Sequence, residues 1–257
     1  MNEKKIFMPL FKHEFSLWHS HRIAGGRLSK GWWVVYIAVF LMLFFGFTTW
    51  AALNGAIQLS GTWYITFALP FMLFFFGYRA VMREFKSNTA GWWLTLPYSR
   101  TQLILAKFTS GWLKAVLLIA ATYFVIVLFG SFVTLIQARY GLSDLLNFMI
   151  TGLNWYFIIF AFSPFAVSLG VFTATLRYTA LKPLIPVGFL IYYLTGDLLF
   201  IVLGFSGDEI YRQFSGEIPA EWFPYAPAVF LPFIAGWIVS YLLIRGSSYL
   251  FSKKVTM

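Results

Sequence analysis

Long apolar runs separated by short polar segments dominate this chain. Six of the runs approach or exceed the roughly 20 residues that a helix needs to cross the hydrocarbon core of a bilayer. They are continuous rather than alternating between apolar and polar positions, which favours helices over strands. We therefore predict an all-α membrane protein with six transmembrane helices, at about 31–53, 63–81, 112–136, 152–176, 183–205 and 225–244. A Ser163-Pro164 pair is expected to break the fourth span.

Composition supports a membrane protein and excludes several site classes. Charged residues make up 11% of the 257 residues, whereas soluble domains have about 25%. The chain has no cysteine, so disulfides and thiolate metal sites are excluded. The formal charge of +10 does not lead us to expect nucleic acid, because the basic residues are sorted by side of the membrane.

That sorting predicts the orientation. All 19 lysines and arginines except Arg139 and Arg212 fall in the N-terminal segment, the segment from Arg79 to Lys114, the turn 177–182 or the C-terminal tail. With an even number of spans, both termini then lie on the basic, cytoplasmic side. We divide the chain into a cytoplasmic amphipathic segment (1–30), a six-span domain (31–244) and a cytoplasmic tail (245–257).

Aromatic residues near the predicted span ends are typical of the belts at membrane–water interfaces. They are Trp32, Trp33, Trp63, Trp112, Tyr140, Trp155, Trp222 and Tyr225.

The N-terminal segment has apolar residues at helical spacing with polar residues between them. The apolar set is Phe7, Leu10, Phe11, Phe15 and Trp18; the polar set is Lys5, Lys12, Ser16 and His19. This pattern favours a helix lying in the headgroup region, and a disordered basic tail is the alternative. The three histidines of the chain lie here, and we do not expect them to bind a metal.

The polar segment 83–107, REFKSNTAGWWLTLPYSRTQLILAK, is the most informative stretch. We predict a short helix from Glu84 to Leu96, with the acid in its first turn and Pro97 ending it. Ser99 and Gln102 form a capping-box pattern, so a second helix is expected to start there and enter the third span. The alternative is an ordinary basic loop that only fixes topology.

Two polar features lie in or beside the fifth predicted span. Asp197 is the only acid inside a predicted span. It is a candidate polar residue of a transport path or subunit interface, with Tyr192 or Thr195 as hydroxyl partners, or it simply reaches water at the outer end. The segment 206–224 is too apolar for a solvated loop; it either re-enters the outer leaflet or lies on the outer surface as an amphipathic helix.

Catalytic patterns are missing. The chain has no GxxxxGK[ST] nucleotide loop, no HExxH and no GxSxG, and no paired carboxylates fall within one span. We therefore predict that it is not an enzyme and has no ATPase of its own.

Over essentially its whole length the chain resembles a membrane subunit of an ABC transporter, of the ABC-2 permease type. The six spans and the amphipathic N-terminal helix match that family. So does an acid-bearing helix followed by Leu-x-Leu-Pro-x-Ser-Arg and a lysine entering the third span. Those positions are Glu84, Gly91, Leu94, Leu96, Pro97, Ser99, Arg100 and Lys107.

The resemblance implies that a coupling helix docks on a separate ATPase subunit, which binds ATP and Mg; this chain itself holds no cofactor. The residues that would couple to the ATPase are Arg83, Glu84, Phe85, Lys86, Ser87, Asn88, Thr89, Ala90 and Gly91. It also implies a dimer of permease chains with two ATPase copies, located in the membrane of a bacterium and exporting a substrate.

The aromatic content of 22% suits an amphipathic peptide, a bacteriocin or a hydrophobic toxin as substrate, and it equally suits packing against lipid. Two other classes stay open at this point. One is a lipid-acting membrane enzyme, and the other is an ATP-independent scaffold or sensor subunit.

Overall fold

The computed structural model describes residues 3–16, 30–87, 89, 91, 95, 97–205, 212–213 and 215–253. Within these ranges there is no β-strand. Seven α-helices have both ends among the described residues: α1 (Glu3–Ser16), α2 (Lys30–Leu53), α3 (Leu69–Lys86), α4 (Arg100–Ile136), α5 (Leu142–Leu176), α6 (Ile185–Phe205) and α7 (Phe230–Lys253). A 3₁₀ segment, Ser60–Ala68, leads directly into α3.

Five helical stretches of the described chain are long and apolar enough to cross a membrane. They are Gly31–Leu53, Ser60–Lys86, Arg100–Ile136, Leu142–Leu176 and Pro227–Ser252. Each coincides with a predicted span, and the bounds of the first agree with the prediction. Helix α6 occupies the position of the predicted fifth span, but it is not among these five stretches of the described chain. The six-span topology therefore stays a prediction. Helix α7 runs on to Lys253, through most of the predicted tail.

Helix α5 is the centre of the bundle. It packs against α3, α4 and α7, and its contact with α3 depends on two glycines. A Cβ on Gly77 would lie 2.0 Å from the Val167 carbonyl oxygen, and one on Gly170 would lie 2.1 Å from that of Phe74. Small residues of this kind allow helix backbones in membranes to approach closely.

The predicted break at Ser163-Pro164 is wrong, because α5 continues through Pro164. Proline removes the N–H that would otherwise pair with a carbonyl one turn earlier. Here the Ser163 hydroxyl donates to the Phe160 carbonyl at 2.7 Å. The Ser240 hydroxyl and the Trp237 indole of α7 donate to the carbonyls of Pro164 and Ala161 at 3.1 and 2.8 Å. Side chains thus satisfy the backbone around the proline, and the helix persists.

Two of the predicted belt residues are core residues instead. Trp63 and Trp155 are both fully buried. The Trp63 indole donates to the Phe148 carbonyl at 3.0 Å, and that of Trp155 donates to Thr66 Oγ1 at 2.7 Å. Because each N–H finds a partner inside the bundle, neither ring needs the interface. Trp32, Trp33 and Trp222 are exposed, as a belt position requires.

Part of the outer segment is described and contacts α5. The side chain of Asn154 donates to the Glu221 carbonyl at 2.7 Å and accepts from the Phe223 amide at 3.2 Å. Phe223 has a left-handed backbone (φ 50°), so these bonds hold an unfavourable conformation. Residues 206–211 and 214 lie outside the described part, and whether the segment re-enters the membrane stays a prediction.

Candidate coupling site

The segment 83–107 brings the ends of two helices together. Helix α3 ends at Lys86, and α4 begins after the N-cap residue Ser99. The capping box is confirmed. The backbone N–H of Gln102 donates to Ser99 Oγ at 3.2 Å, and the backbone N–H of Ser99 donates to Gln102 Oε1 at 3.3 Å. Pro97 is exposed in the bend just before it.

The predicted start of a separate helix at Glu84 is wrong. Glu84 belongs to the last turn of α3, which continues the second span through Lys86. An acid there faces the negative end of the helix dipole, which is unfavourable. Nearby cations must therefore compensate the negative charge of Glu84. Most of 88–96 lies outside the described residues, and the rest of the predicted helix is untested.

Four charged side chains from three helices meet at this point; we call Glu14, Arg83, Glu84 and Lys107 the ion cluster. The Lys107 amine donates to Glu14 Oε1 at 2.7 Å and to Glu84 Oε1 at 2.8 Å. Arg83 Nη2 donates to Glu14 Oε2 at 2.7 Å. The second oxygen of Glu84 accepts a bond from the Thr89 hydroxyl at 2.7 Å.

The ion cluster is buried and balanced in charge. The Lys107 side chain is 0% exposed, and those of Glu14 and Glu84 are 6% and 10% exposed. Two carboxylates face two cations. Such a set is tolerated in a low-dielectric interior only because each charge has a partner at hydrogen-bond distance. Removing one member leaves the others uncompensated.

The ion cluster holds α1 against the bundle. Beside it, the Lys114 amine donates to the backbone carbonyl of Glu14 at 3.0 Å and lies over the Phe15 ring at 5.5 Å. Leu10 packs against an apolar cluster shared by α3, α4, α5 and α7. The predicted N-terminal helix is thus present over Glu3–Ser16, with its inward face on protein. Residues 17–29 are outside the described part.

Glu14 is the member of the ion cluster that the sequence reasoning did not single out. The spacing in the sequence could have identified this residue. Glu14 lies four residues after Leu10 and three after Phe11, which places an acid on the apolar face of α1. An acid in that position needs a buried cation. Lys107, named as a lysine entering the third span, is that cation.

The predicted coupling residues fall into three groups. Arg83 and Glu84 belong to the ion cluster, and Phe85 stacks on Tyr178 with ring centroids 3.3 Å apart. An exposed strip follows, consisting of Lys86, Ser87, Thr89 and Gly91. Asn88 and Ala90 lie outside the described residues. A soluble partner can therefore reach the strip but not the carboxylate of Glu84.

Arg100 and Asp197 complete the predicted set. Arg100 begins α4, and its Nη1 is buried without a hydrogen-bond partner among the described residues. Asp197 is exposed on α6. Its expected hydroxyl partners bond elsewhere: Tyr192 donates to the Phe71 carbonyl and Thr195 to the Tyr192 carbonyl. A role for Asp197 in a transport path or an interface stays a prediction.

The chemistry of the ion cluster is structural, because its charged groups fix three helices relative to one another. No group of three or more metal-ligating side chains occurs among the described residues. The ion cluster has no nucleophile, and both of its carboxylates are already bonded to cations. What the arrangement can do is transmit a displacement of the exposed strip to α1 and α4.

The comparison with family models identifies the chain. Residues 13–195 match the model of the ABC-2 family transporter protein, which confirms the resemblance. Neither the curated proteins nor the solved structures gave a match. The matched region includes the ion cluster, the exposed strip and α2 to α5. The chain belongs to the ABC-2 transporter family and is a multi-pass membrane permease of an ABC transporter, a membership that implies association with an ABC ATPase.

Proposed function

We propose that the chain is the permease subunit of an ATP-driven exporter in a bacterial cell membrane, with both termini in the cytoplasm. Two permease chains, identical or paralogous, form the translocation path, and two separate ATPase chains bind ATP and Mg. The exported substrate is an amphipathic peptide, a bacteriocin or a hydrophobic toxin. The chain contributes no cofactor.

The observation that carries this proposal is the buried Lys107, which is bonded to Glu14 of α1 and Glu84 of α3. Three helices thereby share one set of charges directly beside the exposed strip. A push on the strip moves the end of α3, and the ion cluster passes that movement to α1 and α4. A membrane subunit driven by a soluble motor needs such a rigid connection between its docking surface and its spans.

The docking surface that we propose is narrower than the nine-residue set predicted from sequence. Glu84 is 8% exposed as a residue and acts inside the protein. The exposed strip, with Lys86, Ser87, Thr89 and Gly91, takes the contact with the ATPase. Gly91 suits this role, because a Cβ built there meets nothing within 4 Å.

The test is purification of the tagged chain from its native membrane and identification of the soluble chain that co-elutes. We expect a stoichiometric partner with a GxxxxGK[ST] loop, released by Ser87→Trp with Gly91→Trp. The control, Ala180→Trp with Lys182→Trp, places the same bulk on exposed residues of a turn on the same predicted side. Equal retention of the partner by both variants contradicts the proposed surface, and recovery of the chain alone contradicts the exporter.

The substrate class has its own test. Cells that carry the protein should survive amphipathic peptides that kill cells lacking it. Equal sensitivity removes the peptide and toxin hypothesis while leaving the ATPase result intact.

A further inference from the structure

A cleft of about 900 Å³ lies between α3 and α4, next to the ion cluster. One wall is a single face of α3 with Met72, Phe75, Arg79 and Lys86, which recur at helical spacing. The other wall is formed by Gly111, Lys114 and Leu118 of α4. Arg83 of the ion cluster and Lys86 and Ser87 of the exposed strip line one end of the cleft. Its other lining residues have no part in the mechanism proposed above.

The cleft changes character along the helix. At one end it is lined by Met72, Phe75 and Leu118, and at the other by Arg79 and Lys86. From Met72 to Lys86 the α3 axis advances about 20 Å at 1.5 Å per residue. The basic end is therefore level with the end of the span, and the apolar end lies about three to four turns deeper in the membrane.

The basic end has an excess of positive charge. Arg83 is also in the wall, but the ion cluster balances it against Glu14. The described residues that line the cleft include Arg79, Lys86 and Lys114 and no carboxylate. Lys114 is fixed beside Glu14 by its bond to the backbone carbonyl. Three cations in one concave, partly apolar site concentrate positive potential there.

The apolar end is open to the surroundings. Met72 is 51% exposed and Phe75 is 39% exposed, although both lie within the span Ser60–Lys86. At that depth the surroundings are acyl chains. Charge and polarity together match a molecule with an anionic headgroup at the membrane surface and an apolar chain beneath it.

We propose that this cleft binds an anionic phospholipid from the adjacent leaflet. Its phosphate lies between Arg79 and Lys86, with Lys114 behind it, and an acyl chain runs along Met72, Phe75 and Leu118. Basic pockets between transmembrane helices recognise anionic headgroups in this way. The lipid site shares Lys86 with the proposed docking surface, but retention of a lipid by the isolated chain requires neither the ATPase nor export.

The test is native mass spectrometry of the purified full chain with phosphatidylglycerol and with phosphatidylcholine of identical acyl chains. The wild type should retain phosphatidylglycerol preferentially. Arg79→Gln with Lys86→Gln should lower that affinity about 25-fold, because each cation near an anionic lipid surface contributes about fivefold. Lys182→Gln with Arg245→Gln, which removes the same charge from exposed positions elsewhere, should leave it unchanged.

Three results would overturn the proposal. The first is equal retention of the two lipids, and the second is an equal loss in both variant pairs. The third is competition by soluble glycerol phosphate as effective as that by the lipid, which would indicate a phosphate site without a chain. If the Arg79/Lys86 pair fails to fold, a photoactivatable phosphatidylglycerol on the wild type must label 72–79 or 111–118. Labelling elsewhere overturns the proposal.

Discussion

The end of the molecule that carries the ion cluster and the opposite end are held together by different chemistry. At the first, ionised side chains of α1, α3 and α4 bond to one another. At the opposite end, Asn154 and Trp63 bond mainly to backbone groups. Arg139, one of the cations there, also donates to a carbonyl, that of Ile57, at 2.6 Å.

The two kinds of bonding have different consequences for how each end of the molecule can move. Amide and indole bonds to carbonyls can each be lost singly at moderate cost. A buried set of charges has to stay together, since separating one member exposes the rest without compensation. The ion-cluster end is thus suited to move as one body, and the opposite end is suited to stay in place.

Lys107→Met tests the comparison most severely. It leaves two buried carboxylates that share one arginine, so the free energy of unfolding should fall by about 3–5 kcal/mol. Unfolding in mixed detergent–dodecyl sulfate micelles measures this. Lys107→Met together with Glu14→Gln and Glu84→Gln should recover part of the loss. A single variant as stable as the wild type would show that the ion cluster is not a unit.

Asn154→Leu tests the opposite end. The Glu221 carbonyl and the Phe223 amide would lose their partner, at a cost of about 1–3 kcal/mol, and Phe223 would leave its left-handed conformation. We expect faster protease cleavage within 217–226. Asn54→Leu is the control, because Asn54 is exposed. Similar cleavage rates in the two variants would mean that Asn154 does not fix the segment.

Ser99→Ala should cost about 1 kcal/mol, because it removes the side-chain oxygen that caps α4. The effect should be on stability alone, with ATPase association retained. Ser143→Ala, at an exposed position in the first turn of α5, is the matched change without a cap. If Ser99→Ala lowers the free energy of unfolding no more than this control does, the cap does not stabilise the protein.

Glu217→Gln should have the smallest effect. Glu217 pairs with Arg212 at 3.4 Å, but both side chains are more than half exposed, and exposed pairs contribute about 0–1 kcal/mol. Unfolding measured at low and high salt should barely distinguish the variant from the wild type. A loss comparable with that of Lys107→Met would show that burial does not set the value of ion pairs in this protein.

The sequence predicts the helical class, five of the six proposed spans and the cap at Ser99, because those features depend on local pattern. Apolar run length defines a span wherever it occurs. Ser99 and Gln102 cap a helix using their own neighbours alone.

Other features depend on residues distant in sequence, and the pattern could not predict them. The continuity of α5 through Pro164 depends on Trp237 and Ser240 of another helix. Trp63 resembles a belt residue until Phe148 supplies a carbonyl for its indole. The local pattern places Glu84 at the start of a helix, because the cation that compensates its charge, Lys107, lies 23 residues further along the chain.

The bond between Lys107 and Glu14 joins residues 93 positions apart, and this separation sets an order of assembly. Helix α1 is synthesised first, and its buried carboxylate meets Arg83 only when α3 has been made and Lys107 only when α4 has followed. The N-terminal helix can therefore complete its docking only after the third membrane segment is in place. A chain that stalls before that point lacks the amine that Glu14 shares with Glu84, so the completed docking of α1 marks the assembly of the first three membrane segments.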